Sequence, residues 1–305
     1  MPRPDTGPAA TALDRPARPF TRRFEAIGTH WQIDTDHELS PAQWLRLAAR
    51  IDEFDRTWSR FRTDSLINQL AQGAGTVEFP SEAVPLIELY RRLHDGTAGA
   101  VTPLIGGTLA DLGYDAGYRF TPAAAVRRTP GWDESMSWDG PVVTSTRPVL
   151  LDVGAAGKGY LVDLLGELLT SFDVGSFVVD GSGDLLHRGP DQIRVGLEHP
   201  GDTTKVIGTV PLSDDALAAS AGNRRTWAGL HHIVDPRTNE PVRDVVATWV
   251  IASSAMVADG LATALFFTAP QQTHQLADAF GADWLRVLGD GSAHWSPTFE
   301  GKLFS

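Results

Sequence analysis

The sequence predicts an α+β fold of mixed, largely antiparallel sheets with inserted helices. Three observations predict it: short strand-like segments run in groups, helices interrupt them irregularly, and neither an internal repeat nor a regular β–α alternation occurs. The 305 residues suit one large domain or two lobes. A content of 42% hydrophobic against 21% charged residues leaves ample material for a core.

Met1 to Arg23 carries Pro2, Pro4, Pro8, Pro16 and Pro19 among small residues and arginines, so a flexible leader over 1–23 is expected, with one domain over 24–305. Phe24–Asp34 reads as a strand interrupted by Gly28. Ser40 then caps a helix with Pro41 at its first position, and Trp44, Leu47, Ile51, Phe54 and Trp58 form its apolar stripe. A second helix follows Ser81, with Leu86, Leu89, Tyr90 and Leu93 on one side. The many glycines and prolines between Asp95 and Tyr118 predict loop and turn. Strands are expected over Val149–Val153, Ser176–Asp180, Ile193–Glu198, Lys205–Leu212 and Ala247–Ala252. Helices are expected over Tyr160–Phe172, Ser254–Phe267 and Gln271–Phe280, and Asp290-Gly291 makes a turn between two final strands. A surface excursion between two lobes is expected near 122–148.

Charge and composition exclude several classes. Lys plus Arg total 26 against 38 Asp plus Glu, a net charge of −12, which argues against broad nucleic-acid backbone binding. With no cysteine, disulfides, thiolate metal sites and a Cys nucleophile are excluded, so any metal sits among oxygen or imidazole ligands. No stretch reaches the ~18 apolar residues of a membrane span, and no secretory signal is visible, so a cytoplasmic protein is expected.

Four segments carry candidate chemistry. Asp152 to Gly159 joins a strand to a helix through small residues; Lys158 either neutralises a bound anion there or is simply solvated at a tight turn. The spacing is not that of a Walker loop. Gly181-Ser182-Gly183-Asp184 lacks the third glycine of a dinucleotide fingerprint and reads equally as a hairpin turn. In His231-His232-Ile233-Val234-Asp235-Pro236-Arg237, adjacent histidines on a strand point to opposite faces, which favours His232 in a shared site and His231 outside it. Asp259 and Thr263 lie one turn apart among small apolar residues, with no Lys or Arg between Thr248 and Leu285. A hard divalent cation fits that pair; the alternative has Thr263 bonding back to its own helix and Asp259 near a helix start.

Taken together with Ala26-Ile27-Gly28-Thr29 and Ser59-Arg60-Phe61-Arg62-Thr63-Asp64-Ser65, these segments resemble, in order and separation, the FAD:protein FMN transferase (ApbE-type) family. The resemblance implies a two-lobed ApbE-like domain that moves the FMN half of FAD onto a Thr or Ser hydroxyl of an acceptor protein, releasing AMP, with Mg²⁺ as cofactor. It implies Asp259, Thr263 and the Ala155 carbonyl as metal ligands, with Asp259 also essential to catalysis, and His232 as general base or acceptor-orienting group. Ile27, Phe61, Ala100, Val101, Thr102, Asp152, Lys158 and Ile233 match the family's flavin-nucleotide contacts. Thr102 stands where the family often has an acidic residue, Ser220 to Arg224 matches its Thr-Ser-Gly stretch only loosely, and Asn239 replaces a glycine. Two further readings remain: a metal-dependent FAD pyrophosphatase giving FMN and AMP, and a non-catalytic FAD carrier or sensor.

Overall fold

The computed structural model describes residues 10–14 and 19–304. Eight strands make the central sheet: β1 (Phe20–Ala26), β2 (Thr29–Thr35), β3 (Phe177–Asp180), β4 (Asp184–Arg188), β5 (Ala216–Ala221), β6 (Val245–Ala252), β7 (Asp283–Leu288) and β8 (Ala293–Trp295). They lie side by side in chain order, and every neighbouring pair is antiparallel. Mixed helices and antiparallel sheets are thus the architecture the strand grouping predicts.

Alternation along the strands sorts side chains to two faces. Val179, Leu186, Ala218, Val250 and Trp284 join a core built with the helices α1 (Pro41–Trp58), α2 (Val84–Gly96), α3 (Gly157–Ser171) and α4 (Ala255–Ala264). Val178, Leu185, Leu217, Trp249 and Leu285 pack instead with Ile193, Val195, Leu197, Val210 and Leu212. Those last residues come from a four-stranded sheet of Ala10–Asp14, Ile193–His199, Asp202–Leu212 and Lys302–Leu303. The result is three layers: helices, large sheet, small sheet.

Local chemistry sets the boundaries. At the start of α1, the Gln43 amide donates to Ser40 Oγ at 3.3 Å and the Ser40 amide donates to Gln43 Oε1 at 2.8 Å, a reciprocal capping box behind Pro41. The strand expected over Phe24–Asp34 is the β1–β2 hairpin. Its turn residues Ile27 and Gly28 have φ of +43° and +83°, both positive as a tight two-residue turn requires.

Several expectations need correction. Val149–Val153 is extended but joins no sheet: the Val149 and Asp152 amides donate to the Leu70 and Pro103 carbonyls at 2.9 and 2.7 Å. Its buried valines and leucine mimic a strand, but the segment is tied to the helix Leu66–Gln72 and to the short helical turn Pro103–Ile105. The Asp95–Tyr118 loop contains a short helix, Gly106–Asp111, and Gly106 is needed there because a Cβ would sit 2.4 Å from the Leu150 carbonyl oxygen. β5 was not anticipated; its Ala-rich sequence has poor strand propensity, and pairing on both sides overrides it. Within the expected leader, Ala10–Asp14 pairs with Ile193–His199 and Phe20–Arg23 belongs to β1, so these residues are strand; 1–9 and 15–18 lie outside the described residues. The 122–148 stretch carries a short helix, Trp132–Ser135, and a hairpin, Met136–Asp139 with Val142–Ser145, whose second strand pairs with Gly75–Glu78. Trp132, Met136 and Val143 join the helix-side core. Among the described residues no helix is long and apolar enough to cross a membrane.

Candidate active site

The site forms where α3 and α4 cross. Gly159 permits the crossing: a Cβ there would lie 2.1 Å from the Ala255 carbonyl oxygen and 2.7 Å from the Asp259 Cβ. The Gly159 amide donates to Asp259 Oδ2 at 2.9 Å. The start of α4 is fixed by Asp163 of α3, whose carboxylate accepts from the Ser254 hydroxyl at 2.7 Å and the Ala255 and Met256 amides at 2.8 and 2.9 Å. Asp259 is only 4% exposed. Burial, and then the neighbouring Asp184, push its carboxyl well above the usual carboxylate range against the pull of Lys158, the Gly159 amide and Arg225. The absence of basic residues nearby in sequence therefore does not carry into space: Lys158 and Arg225 arrive from other segments. The Thr263 hydroxyl donates to the Ala155 carbonyl at 3.4 Å and lies 3.5 Å from Ser220 Oγ, rather than bonding back to its own helix.

The Gly181–Asp184 segment is the β3–β4 turn. Asp180 Oδ1 accepts from the Ser182 and Gly183 amides at 3.0 and 3.3 Å, and Ser182 adopts φ +60°. The turn delivers Asp184, fully buried, to Lys158: Nζ lies 2.9 Å from Asp184 Oδ2 and donates to the Ser182 carbonyl at 3.1 Å. Lys158 is accordingly held in place and is not a solvated turn residue.

On the opposite wall, Arg60 Nε donates to Asp152 Oδ2, while the Gly154 amide donates to Asp152 Oδ1 at 2.7 Å. The guanidinium carbon of Arg60 lies 4.2 Å from the Phe61 ring centre and 4.8 Å from that of Tyr114. Phe61 stacks on Tyr118 with centroids 5.2 Å apart and rings 6° from parallel. Thr102 uses its hydroxyl to accept from the Leu104 amide at 3.3 Å, capping a short turn.

The two histidines separate. His231 is tied into the fold, its Nε2 donating to the Val242 carbonyl at 2.8 Å and its Nδ1 accepting from the Ile233 amide at 3.3 Å. His232 lines the cavity, and its Nδ1 is buried without a hydrogen-bond partner among the described residues. Burial, with Arg225, His231 and Lys158 nearby, drives its pKa well below the ordinary imidazole value, so the ring is neutral at pH 7. Asp235 and Arg237 pair with each other at 2.6 Å in the following turn. Asn239 takes φ +62° there, the conformation that favours glycine or asparagine.

All these walls enclose one cavity of about 680 Å³. Ile27, Phe61, Ala100, Val101, Thr102, Asp152, Ala155, Lys158, His232, Ile233, Asp259 and Thr263 all line it. Arg60, Tyr114 and Arg225 line it too, and Asp184 lies behind Lys158; sequence reasoning assigned none of these. Arg60 and Asp184 fall inside segments already singled out, yet only their partners in space distinguish them from ordinary polar residues. Among the described residues no three His, Asp or Glu side chains cluster as a metal site. Asp259, Thr263 and Ala155 bring a carboxylate, a hydroxyl and a main-chain carbonyl to the cavity.

The ApbE family's sequence model matches residues 27–285. The chain is 27% identical over 317 residues to the FAD:protein FMN transferase of Rhodobacter capsulatus, covering 95% of this chain and 60% of that relative's length. It is 26% identical over 304 residues to the FAD:protein FMN transferase of Klebsiella pneumoniae, covering 90% of this chain and 87% of the relative. The fold is similar to that of the ApbE protein from Thermotoga maritima, with a TM-score of 0.80 and 25% identity over 92% of this chain and 99% of that one. It is also similar to the flavin transferase ApbE from Vibrio cholerae, with a TM-score of 0.76 and 22% identity over 92% of this chain and 98% of that one.

Proposed function

The chain belongs to the ApbE family, and from that premise we propose that it transfers the FMN half of FAD to a Thr or Ser hydroxyl of an acceptor protein, releasing AMP. The observation that carries the proposal is the single cavity in which a buried carboxylate and hydroxyl on α4, the Lys158 ammonium and a neutral His232 converge.

Mg²⁺ is the proposed cofactor, and the donor set fits it. Asp259, Thr263 and the Ala155 carbonyl offer hard oxygens, and the Asp259 carboxylate accepts a single backbone amide while buried, a state that a cation would relieve. When bound, the ion would neutralise diphosphate oxygens and favour departure of the AMP phosphate. The protein's own groups do the rest. His232, uncharged, accepts the proton of the acceptor hydroxyl as its oxygen forms the new bond to the FMN-side phosphorus. The bond from that phosphorus to the bridging oxygen breaks, and its electron pair leaves with AMP. Lys158, held by Asp184 and the Ser182 carbonyl, orients the phosphates as a hydrogen-bond donor. Phe61, Ile27, Ile233, Asp152 and the Ala100-Val101-Thr102 stretch line the space assigned to the flavin nucleotide. Cytoplasmic residence is part of this reading, and cell fractionation checks it.

Incubation with FAD and Mg²⁺, with and without a Thr-containing acceptor, tests the proposal. AMP formed only with acceptor, matched by FMN on the acceptor, is the expected result. AMP formed without acceptor would make the protein a pyrophosphatase, and tight FAD binding with no AMP would make it a carrier.

A further inference from the structure

The cavity's cationic side chains are each paired with a carboxylate, with one exception among the described residues. Arg60 is paired with Asp152, Lys158 with Asp184, Arg62 with Asp55 and Arg224 with Glu198. Arg225 lines the same cavity and makes no hydrogen bond or ion pair among the described residues. It nonetheless sits within electrostatic reach of Tyr114, Asp152, Asp259 and Asp184, and of His232. A half-buried guanidinium with five donors and no internal acceptor is costly to leave unmatched, and its planar fork suits phosphate oxygens.

We propose that Arg225 is the residue that grips the diphosphate of FAD, from the side of the cavity that also holds His232. This rests on the transferase reading and deepens it. The charge count supports it. Once each ion pair is cancelled, the interior of the cavity keeps the Asp259 carboxylate and the Arg225 guanidinium; Glu25 stands at the exposed rim, where water screens it. A divalent cation on Asp259 leaves one positive charge, and Arg225 supplies a second, matching the two negative charges of a dinucleotide's diphosphate. Lys158, tied to Asp184, orients and adds no net charge. Arg225 also has a second consequence: after burial, its nearby positive charge adds to what lowers the His232 pKa. The segment Ser220 to Arg224, which matches the family pattern only loosely, ends where this cation begins.

Arg225→Gln and Arg225→Lys test the assignment, with binding of ADP in Mg²⁺ as a probe that cannot be turned over and riboflavin as a probe without phosphate. Arg225→Gln is expected to weaken ADP binding about 10- to 100-fold, the loss of a charge-assisted hydrogen bond. Riboflavin binding should stay the same, Arg225→Lys should recover part of the loss, and the salt dependence of ADP binding should flatten in Arg225→Gln. Thermal stability should be unaltered or raised, because the guanidinium holds no partner among the described residues and its burial is costly. Equal ADP affinity in wild type and Arg225→Gln overturns the proposal, as does a parallel loss for riboflavin. The two readings fail separately. Wild type that binds ADP through Arg225 but forms no AMP from FAD contradicts the transferase reading alone. Wild type that flavinylates its acceptor while Arg225→Gln binds ADP normally contradicts the Arg225 assignment alone.

Discussion

The two faces of the central sheet are built from the same strands and serve opposite ends. One face meets a second sheet through the apolar side chains of Val178, Leu185, Leu217, Trp249 and Leu285. The other meets α3 and α4, and between them lie Asp184, Asp259 and the Lys158 ammonium, buried or nearly so. Burying apolar surface stabilises at roughly 25 cal/mol per Å², whereas burying charge costs free energy unless it is paired. The first face therefore holds the fold together, and the second maintains a strained electrostatic arrangement that the first makes tolerable. Function resides where local stability has been given up.

That contrast can be broken from the site side first. Asp259→Asn is expected to abolish Mg²⁺-dependent AMP release and to remove any rise in melting temperature caused by Mg²⁺. It should leave the metal-free protein as stable as wild type or more so, since a buried anion is gone while an amide oxygen can still accept from Gly159. Activity assays and thermal melts with and without Mg²⁺ check both halves. A metal-free protein strongly destabilised by this change would mean that Asp259 serves packing.

Next in size is His232→Ala, expected to slow transfer by about 10²- to 10⁴-fold while FAD affinity stays near wild type. Steady-state kinetics alongside direct FAD titration separates the two quantities, and unchanged turnover would remove the role given to this ring. From the structural face, Trp249→Ala should cost about 3–5 kcal/mol of unfolding free energy, because Trp249 is almost completely buried between the sheets. Its turnover per folded molecule should match wild type, as denaturant melts and active-site titration would establish.

The smallest effect concerns pH. The folded-state pKa of His232 lies below its unfolded value, so between the two the unfolded chain binds more protons. The associated stability is fully present above the unfolded pKa of ~6.5 and is lost as pH falls toward the folded value. Thermal melts from about pH 7.5 to about pH 5.5 should therefore show a steeper loss for wild type than for His232→Gln. Parallel curves would mean that the ring is not held neutral by its surroundings.

Much of the frame was legible because its signals are local. Ser40-Pro41 marks the start of α1 through the cap it forms, and the Asp290-Gly291 turn lies between β7 and β8. The states of Val149–Val153 and β5 are set by distant chain: the carbonyls of Leu70 and Pro103 in one case, two flanking strands in the other. The site divides the same way. The Asp259–Thr263 pair follows from helical spacing; His232 is separated from His231 as expected, but at a bend just past the strand Leu230–His231 rather than by alternation along one strand. The partners that define the electrostatics come from far along the chain: Arg60 reaches Asp152, and Asp184 reaches Lys158. Residue types without spatial neighbours could not distinguish a paired cation from the unpaired Arg225.

The central claim is that α4 holds a divalent cation against the diphosphate of FAD. Anomalous diffraction from crystals soaked with Mn²⁺ and ADP tests it most directly. A single strong peak bounded by Asp259, Thr263 and the Ala155 carbonyl, and in contact with the diphosphate, is the expected result. A nucleotide seated in the cavity with the metal elsewhere, or absent, would contradict it.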